Sequence, residues 1–362
     1  MIGGTDQHTN AKIKVLGIGG GGSNAVSRMY SERIEDVEYM VINTDAQALL
    51  NCEIPMSMCI GTDLTAGMGV GGDPELGARA AEESRDTLEQ SVRDTNMIFI
   101  AAGLGGGTGT GAAPIIANIA KESGALTVGV VTTPFGFEGH KRMLAAQNGI
   151  KELRNQVDTL LIIPNERLSL ICQEDITAEN AFKMADDVLR LGVQSIAELV
   201  TVHGQINLDF NDVRTIMKDS GPAWMSIGYG TGENRAAEAA EQAITNPLLE
   251  VTIDGAKGVL FNITGGSDLK LSELNSAAEV IQRVVDPKAN IIFGMATDPK
   301  FENEIKLTVI ATGFPTMEDE IEKEEELRQL LNLSSNNSTS ELDVPPFLRR
   351  LTKYRKNGIG TK

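Results

Sequence analysis

Short runs rich in apolar residues, the first of them alternating, recur between amphipathic stretches through the first half of the chain. They fall at Lys12–Ile18, Val37–Asn43, Met97–Ala102, Ala125–Thr133 and Val157–Pro164. Runs of this length, rich in Ile and Val and closed by Gly, Asn or Pro, predict strands buried on both faces. Helical patterns separate them. One opens after Gly22 and runs to about Arg33. A second runs from Pro74 to about Arg93, with Asp73 as its cap. A third continues from Ala112 to Ser123, and a fourth follows His140. Strand and helix in alternation predict an α/β fold with a doubly wound parallel sheet. Ala178–Val202 then carries Ala185, Val188, Leu189, Gly192, Val193, Ile196 and Val200 at helical spacing. Further apolar residues beyond that stripe predict a long helix packed on several sides, as between two domains. Apolar strands near Met225–Gly228, Gly258–Ile263, Ala289–Ala296 and Lys306–Gly313, with helices at Arg235–Ala243 and Ser272–Val284, predict a smaller α+β domain. The expected organisation is a leader at 1–11, a nucleotide-binding domain at 12–177, a central helix at 178–204 and a second domain at 205–316. An acidic segment and polar linker follow at 317–341, then a terminal peptide and basic tail at 342–362.

The chemistry gathers where strands end. Gly103-Leu104-Gly105-Gly106-Gly107-Thr108-Gly109-Thr110-Gly111 joins a buried strand to an apolar helix, a placement that argues against a flexible linker. Such a loop lets backbone N–H groups turn toward phosphate oxygens, and the helix N-terminus adds partial positive charge. The hydroxyls of Thr108 and Thr110 are expected to add donors. No lysine is present, so this is not the lysine-bearing phosphate loop. Neutralising charge must come from backbone dipoles, a metal ion or a distant base. A second glycine turn, Gly19-Gly20-Gly21-Gly22-Ser23-Asn24, follows the first strand. Gly17, Gly19 and Gly22 fit the dinucleotide fingerprint, and Asp45 falls about where a ribose-binding carboxylate would stand. At this point a nicotinamide-dependent oxidoreductase is an open alternative. A third loop, Gly61–Asp73, contains Gly67, Gly69, Gly71 and Gly72.

Charge narrows the partners. The net charge of -18 argues against nucleic acid and against adhesion to anionic membrane. Self-association must overcome that charge, with divalent cations helping. Cys52, Cys59 and Cys172 are odd in number and lack zinc spacing, which predicts reduced thiols in a cytoplasm. His8, His140 and His203 are scattered, so no histidine metal site is expected. No signal peptide or membrane-length apolar run is read, and a membrane role would need an adaptor.

Taken together, the blocks resemble the FtsZ family, the tubulin-like GTPases of bacterial cell division. Gly105–Gly111 matches the tubulin-superfamily signature. Gly19–Val26, Asn43–Leu49, Phe137-Glu138-Gly139 with Arg142, and Asn207-Leu208-Asp209-Phe210-Asn211-Asp212 follow in the family order. The resemblance covers Lys12 to Pro315 and resumes at Asp343–Arg350. Ser23, His203-Gly204, the short polar linker and the basic residues after Arg350 depart from the family pattern. The resemblance implies a tubulin-like fold that binds GTP or GDP with Mg2+. The phosphates would lie on Gly20, Gly21, Gly22, Ser23 and Asn24, and on Gly105, Gly106, Gly107, Thr108 and Gly109. It implies guanine read by Asn24, Asn165 and Asp186, with Phe182 stacked on the base. Glu138 and Arg142 resemble ribose and nucleotide contacts, and four residues apart they also suit an ion pair. Gly71 and Gly72 would approach the γ-phosphate. It further implies a filament of identical subunits, a ring under the membrane at mid-cell, and a docking peptide at 343–350 for an FtsA-like membrane anchor.

Hydrolysis needs a group that orients water in line with the γ-phosphate. The first two glycine loops hold no carboxylate. Asp209 and Asp212 are the candidates, with Asn207 from the same block, and Asp209 alone also reads as a helix cap. They follow the long helix at its far end. A helix of about 25 residues spans roughly 37 Å, so these acids reach a phosphate only on a neighbouring subunit stacked head to tail. Mg2+ would be held mainly by phosphate and water. The oxidoreductase alternative leaves the second glycine loop and the acidic block unexplained. A scaffold that binds nucleotide without splitting it is the third reading.

Overall fold

The computed structural model describes residues 11–32, 34, 36–171, 177–201, 209–245 and 255–314. The leader, Cys172, Asn207 and everything after 314, including the acidic segment, linker and docking peptide, lie outside them. The first strands are β1 (Ile13–Ile18), β2 (Val37–Asn43), β3 (Met56–Cys59), β4 (Met97–Gly103), β5 (Leu126–Thr133) and β6 (Thr159–Pro164). Their helices are α1 (Gly19–Glu32), α2 (Ala46–Leu50), α3 (Thr62–Thr65), α4 (Pro74–Glu83), α5 (Arg85–Val92), α6 (Thr108–Glu122), α7 (His140–Arg154) and α8 (Asn165–Ile171). The long helix is α9 (Ala178–Thr201), followed by α10 (Phe210–Met217). The remainder comprises β7 (Gly221–Thr231), α11 (Arg235–Ile244), β8 (Gly258–Gly265), α12 (Leu271–Gln282), β9 (Asn290–Thr297) and β10 (Glu304–Thr312).

The strands are ordered β3-β2-β1-β4-β5-β6-β7-β10-β8-β9 in one sheet. Pairing is parallel from β3 through β7, and β10 runs antiparallel between β7 and β8. Pleating sends alternate residues to opposite faces. Val15, Phe99, Val128 and Val130 join Val26 and Met29 of α1 and Leu189 and Val193 of α9 in one apolar cluster. Leu16, Ile98 and Ile100 join Leu88 of α5 and Ile116 and Ala117 of α6 in another. Each such fully buried aliphatic side chain stabilises the fold by about 1.5–3 kcal/mol. A third cluster packs Ala239 of α11 and Ile281 of α12 on Phe261 and Leu307.

Two expectations change. The second half does not form a sheet of its own, because Thr159, Leu160 and Leu161 of β6 pair with Gly221, Pro222 and Ala223 of β7. The helix expected from Pro74 to Arg93 is two helices meeting at Ser84. The Ser84 hydroxyl oxygen accepts the Gly61 N–H at 3.1 Å, which anchors the joint. Asp73 caps α4 as expected, accepting from the N–H groups of Glu75 and Leu76. The long helix is also as expected, with Ala185, Leu189, Val193, Ile196 and Ala197 buried. Trp224 meets Phe314 edge to face at 6.1 Å.

Helices α4 and α6 touch backbone to backbone. A Cβ on Gly111 would lie 1.9 Å from the Pro74 carbonyl oxygen, with no flexible side chain available to yield. Gly111→Ala should therefore lower stability by about 1–3 kcal/mol or more. A fall in the urea midpoint at unchanged slope is the expected reading.

Candidate functional site: a cleft at the strand C-termini

Two helix N-termini meet above the C-terminal ends of β1 and β4. Helix α1 opens with Gly19, Gly20 and Gly21, and α6 opens with Thr108, Gly109 and Thr110. The first-turn N–H groups of any helix lack intrahelical acceptors. Here no side chain caps α6. The approach is close: a Cβ on Gly19 would lie 2.8 Å from the Gly109 nitrogen. Both dipoles thus present partial positive charge to one cleft of about 520 Å³. The positions a Cβ would occupy on Gly20 and Gly106 are open space.

The far end of the cleft has different chemistry. Asn24, Asn165, Phe182, Ala185, Asp186 and Leu189 line it, with Glu138 and Arg142 at the side. Asn165 starts α8 directly after β6, is buried, and leaves its Oδ1 without a partner. Asp186 is mostly buried on α9 and lies 3.3 Å from the Arg28 guanidinium of α1. Burial pushes its carboxyl up to about 6, against the pull of Arg28 and with the help of Asp187. Phe182 is 43% exposed and meets Phe135 and Phe137 edge to face, so it is a rim residue with ring surface in solvent. Glu138 and Arg142 form the ion pair that their spacing suggested, and Glu138 also accepts the Phe135 N–H at 3.0 Å. Among the residues lining the cleft Arg142 is the one with a cationic side chain, and that charge is paired.

Several expected contacts are turned elsewhere. The Thr110 hydroxyl accepts the Gly105 N–H at 2.8 Å, so it shapes the loop from beneath. The Thr108 hydroxyl faces the cleft but shares a 2.7 Å hydrogen bond with that of Thr44. Gly22, Ser23 and Gly105 do not line the cleft. Gly22 packs on the Ala101 carbonyl, Gly105 takes the left-handed φ of 100° beside Pro134, and Ser23 is buried with an unpaired hydroxyl. Gly71 and Gly72 do not line it either. Their loop abuts the phosphate-loop candidate, with the Asp73 nitrogen 2.9 Å from where a Gly107 Cβ would be. Asp45 caps α2 through the N–H groups of Gln47 and Ala48. Asp45 does not line the cleft, so it does not stand where the ribose contact of the oxidoreductase alternative would need it.

The acidic pair sits apart from the cleft. Asp209 caps α10 and accepts the Asp212 N–H at 2.9 Å, while Asp212 accepts the Asp209 N–H at 3.2 Å. The cap reading of Asp209 is therefore correct, and the two carboxylates hold each other at an exposed helix start. No residue of α10 lines the cleft. The C-terminal turn of α10 is fixed at the opposite ends of the parallel strands, where the Ser220 hydroxyl meets that of Thr159 at the start of β6. Sequence reasoning missed Arg28, which the structure pairs with Asp186. It stands one turn after Asn24 on α1, a spacing that places both on one face.

Residues 12–173 match the family described as Tubulin/FtsZ family, GTPase domain, and residues 221–315 match FtsZ family, C-terminal domain. Among solved structures, the empty FtsZ dimer of M. jannaschii is 44% identical, with a TM-score of 0.80 over 85% of this chain and 89% of that one. A point mutant of the same FtsZ is also 44% identical, with a TM-score of 0.81 over 85% and 92%. CetZ2 from Haloferax volcanii, in a GTPγS-bound protofilament, shares the fold at 20% identity, with a TM-score of 0.73 over 90% and 99%.

The buried Asp186 makes a stability prediction for the nucleotide-free chain. Its carboxyl is raised from 3.8 to about 6, so folding favours the protonated form. The contribution is fully present below 3.8 and is lost as pH rises through about 6. Asp186→Asn should therefore be more stable than the parent above pH 6, by at most about 3 kcal/mol. That advantage should shrink as pH falls toward 4. Thermal unfolding at a series of pH values checks it, and a pH-independent difference would contradict it.

Proposed function

The chain belongs to the FtsZ family, whose members hydrolyse GTP and polymerise in cell division, and from that premise we propose how its own residues carry out the reaction. The observation that carries the reading is the cleft with two helix N-termini at one end and a buried carboxylate and unpaired amide at the other. Triphosphate oxygens accept from the backbone N–H groups around Gly20, Gly21, Gly106, Gly107, Thr108 and Gly109. The guanine lies toward Asn24, Asn165 and Asp186. The N1–C2 edge of guanine offers two donors to a carboxylate, and adenine does not. Adenine would leave the mostly buried Asp186 with Arg28 alone and no donor from the base, which disfavours it. Phe182 covers the base from the rim, and the Glu138–Arg142 pair flanks the sugar.

The residues present also fit Mg2+ held by phosphate and water. Both carboxylates that line the cleft, Glu138 and Asp186, are engaged by guanidinium groups. Bound there, Mg2+ would supply charge neutralisation for the phosphate oxygens, which the paired Arg142 cannot do alone.

The attacking water is oriented by Asp209 and Asp212 of a neighbouring subunit. Their mutual cap fixes two carboxylates at a helix start that does not line the cleft of their own chain. Subunits stacked head to tail bring this surface over the next cleft and build an open filament. Asn207, from the same sequence block, lies outside the described residues. The peptide at 343–350 links the filament to an FtsA-like anchor, so that a ring forms at the inner face of the membrane.

Asp212→Asn keeps an oxygen to accept the Asp209 N–H and removes the charge. GTP turnover should fall by about a hundredfold or more. GDP affinity, measured by calorimetry on dilute protein, should stay within about twofold, because the mutated group does not touch the chain's own nucleotide. Normal turnover in this variant would refute the assignment.

A further inference from the structure

Helix α6 connects the phosphate end of the cleft to the N-terminal ends of the parallel strands. It begins at Thr108 and is 15 residues long, so its last turn lies about 22 Å away. There Lys121 reaches Asp219 at 2.9 Å and Asp158 at 3.5 Å. Asp158 is buried and bonds three elements at once. Its Oδ2 accepts the Thr127 N–H of β5 at 2.8 Å, its Oδ1 accepts the Asp219 N–H at 3.4 Å, and its carbonyl accepts the Gly221 N–H at 2.9 Å. The turn it holds is the one between α10 and β7.

That turn is backbone-strained. Asp219 takes a left-handed φ of 50°, uncommon for a residue other than glycine. Such a conformation persists only when its surroundings over-determine it, and such residues cluster at working parts of proteins. The hydrogen bond from Lys121 holds the Asp219 carboxyl below the usual carboxylate range. The Ser220 hydroxyl donates to the Met217 carbonyl at 3.1 Å, which closes the end of α10. Eight residues of α10, about 12 Å, separate this turn from Asp209, and five, about 8 Å, separate it from Asp212. This joint, together with Val213, Ile216 and Met217 in the core, holds the helix that carries the acids.

The geometry points to Lys121, acting through Asp158 and Asp219, as a positioning residue for the hydrolytic acids: it ties the helix that bears a subunit's acids to the helix that binds the same subunit's phosphates. This rests on the reading that Asp209 and Asp212 serve the neighbour's nucleotide. The consequence is directional. Damage at Lys121 should disable the acid surface of a subunit and spare its cleft.

The experiment measures GTP turnover of Lys121→Met, alone and mixed in equal amounts with Asp212→Asn. Lys121→Met should turn over GTP about ten- to a hundredfold more slowly, as expected for a small misplacement of reacting groups. Its GDP affinity should be unchanged, and Lys121→Arg should restore turnover. Asp219→Asn, at an exposed side chain, should reproduce the loss and guards against a folding defect at Lys121. The mixture with Asp212→Asn should stay inactive, since neither subunit then offers working acids. Recovery in that mixture, loss of GDP affinity, or normal turnover in Lys121→Met would each overturn the proposal. A control mixture of Asp212→Asn with the cleft variant Asp186→Leu tests the underlying reading separately. It should regain activity, because one subunit supplies the cleft and the other the acids. If it does not, the shared site falls first and the role of Lys121 falls with it.

Discussion

The structure turns on the meeting of two helix dipoles over the same sheet edge. β1 and β4 are adjacent and parallel, so α1 and α6 must both begin at their C-terminal ends. Their N-termini come so close that only glycine fits at Gly19. Positive potential is thereby built from backbone alone, without a lysine in either loop. This explains why a chain of net charge -18 can present a site for a triphosphate. It also explains why the loops hold no carboxylate: a negative side chain there would cancel the field that binds the ligand. On the proposed reading, water activation then falls to a neighbouring subunit.

The rest of the architecture serves that separation. α9 carries Asp186 near its start and ends at Thr201, about 22 Å further along its axis. One face of α9 buries Leu189, Val193 and Ile196 in the core that also holds Val213 and Ile216 of α10. The pairing of β6 with β7 carries the sheet from the nucleotide-binding half into the C-terminal half without a break. Core packing, sheet pairing and the Lys121 joint therefore all fix the acid surface against the cleft of the same chain. Rigidity of that kind suits a subunit whose two ends must each match another copy.

Much of this was legible in the sequence, for identifiable reasons. Doubly covered strands such as Met97–Gly103 are apolar throughout, so they stand out from half-buried segments. Glycine at the ends of such strands has few other uses, and both phosphate-side loops were found that way. Asp73 and Pro74 announced a helix start that the structure contains. What stayed hidden depends on partners distant in sequence. The Arg28–Asp186 pair joins two helices more than 150 residues apart. Thr110 looked like a ligand donor because sequence does not show which side of a loop a hydroxyl faces, and Gly105 claims it. The single sheet was missed because three paired residues at Gly221–Ala223 carry no signal of their own. Asp209 and Asp212 were legible as acids and as a cap. The structure shows that they are a cap, set apart from the cleft of their own chain.

The claim at the centre is that one subunit holds the triphosphate and another supplies the acids. The most direct test is the initial rate of phosphate release per subunit, measured across protein concentrations that run from far below assembly to far above it. The account predicts a rate near zero in dilute solution that climbs with concentration and levels off once every cleft has a neighbour. A rate per subunit that stays constant across the whole range would contradict it.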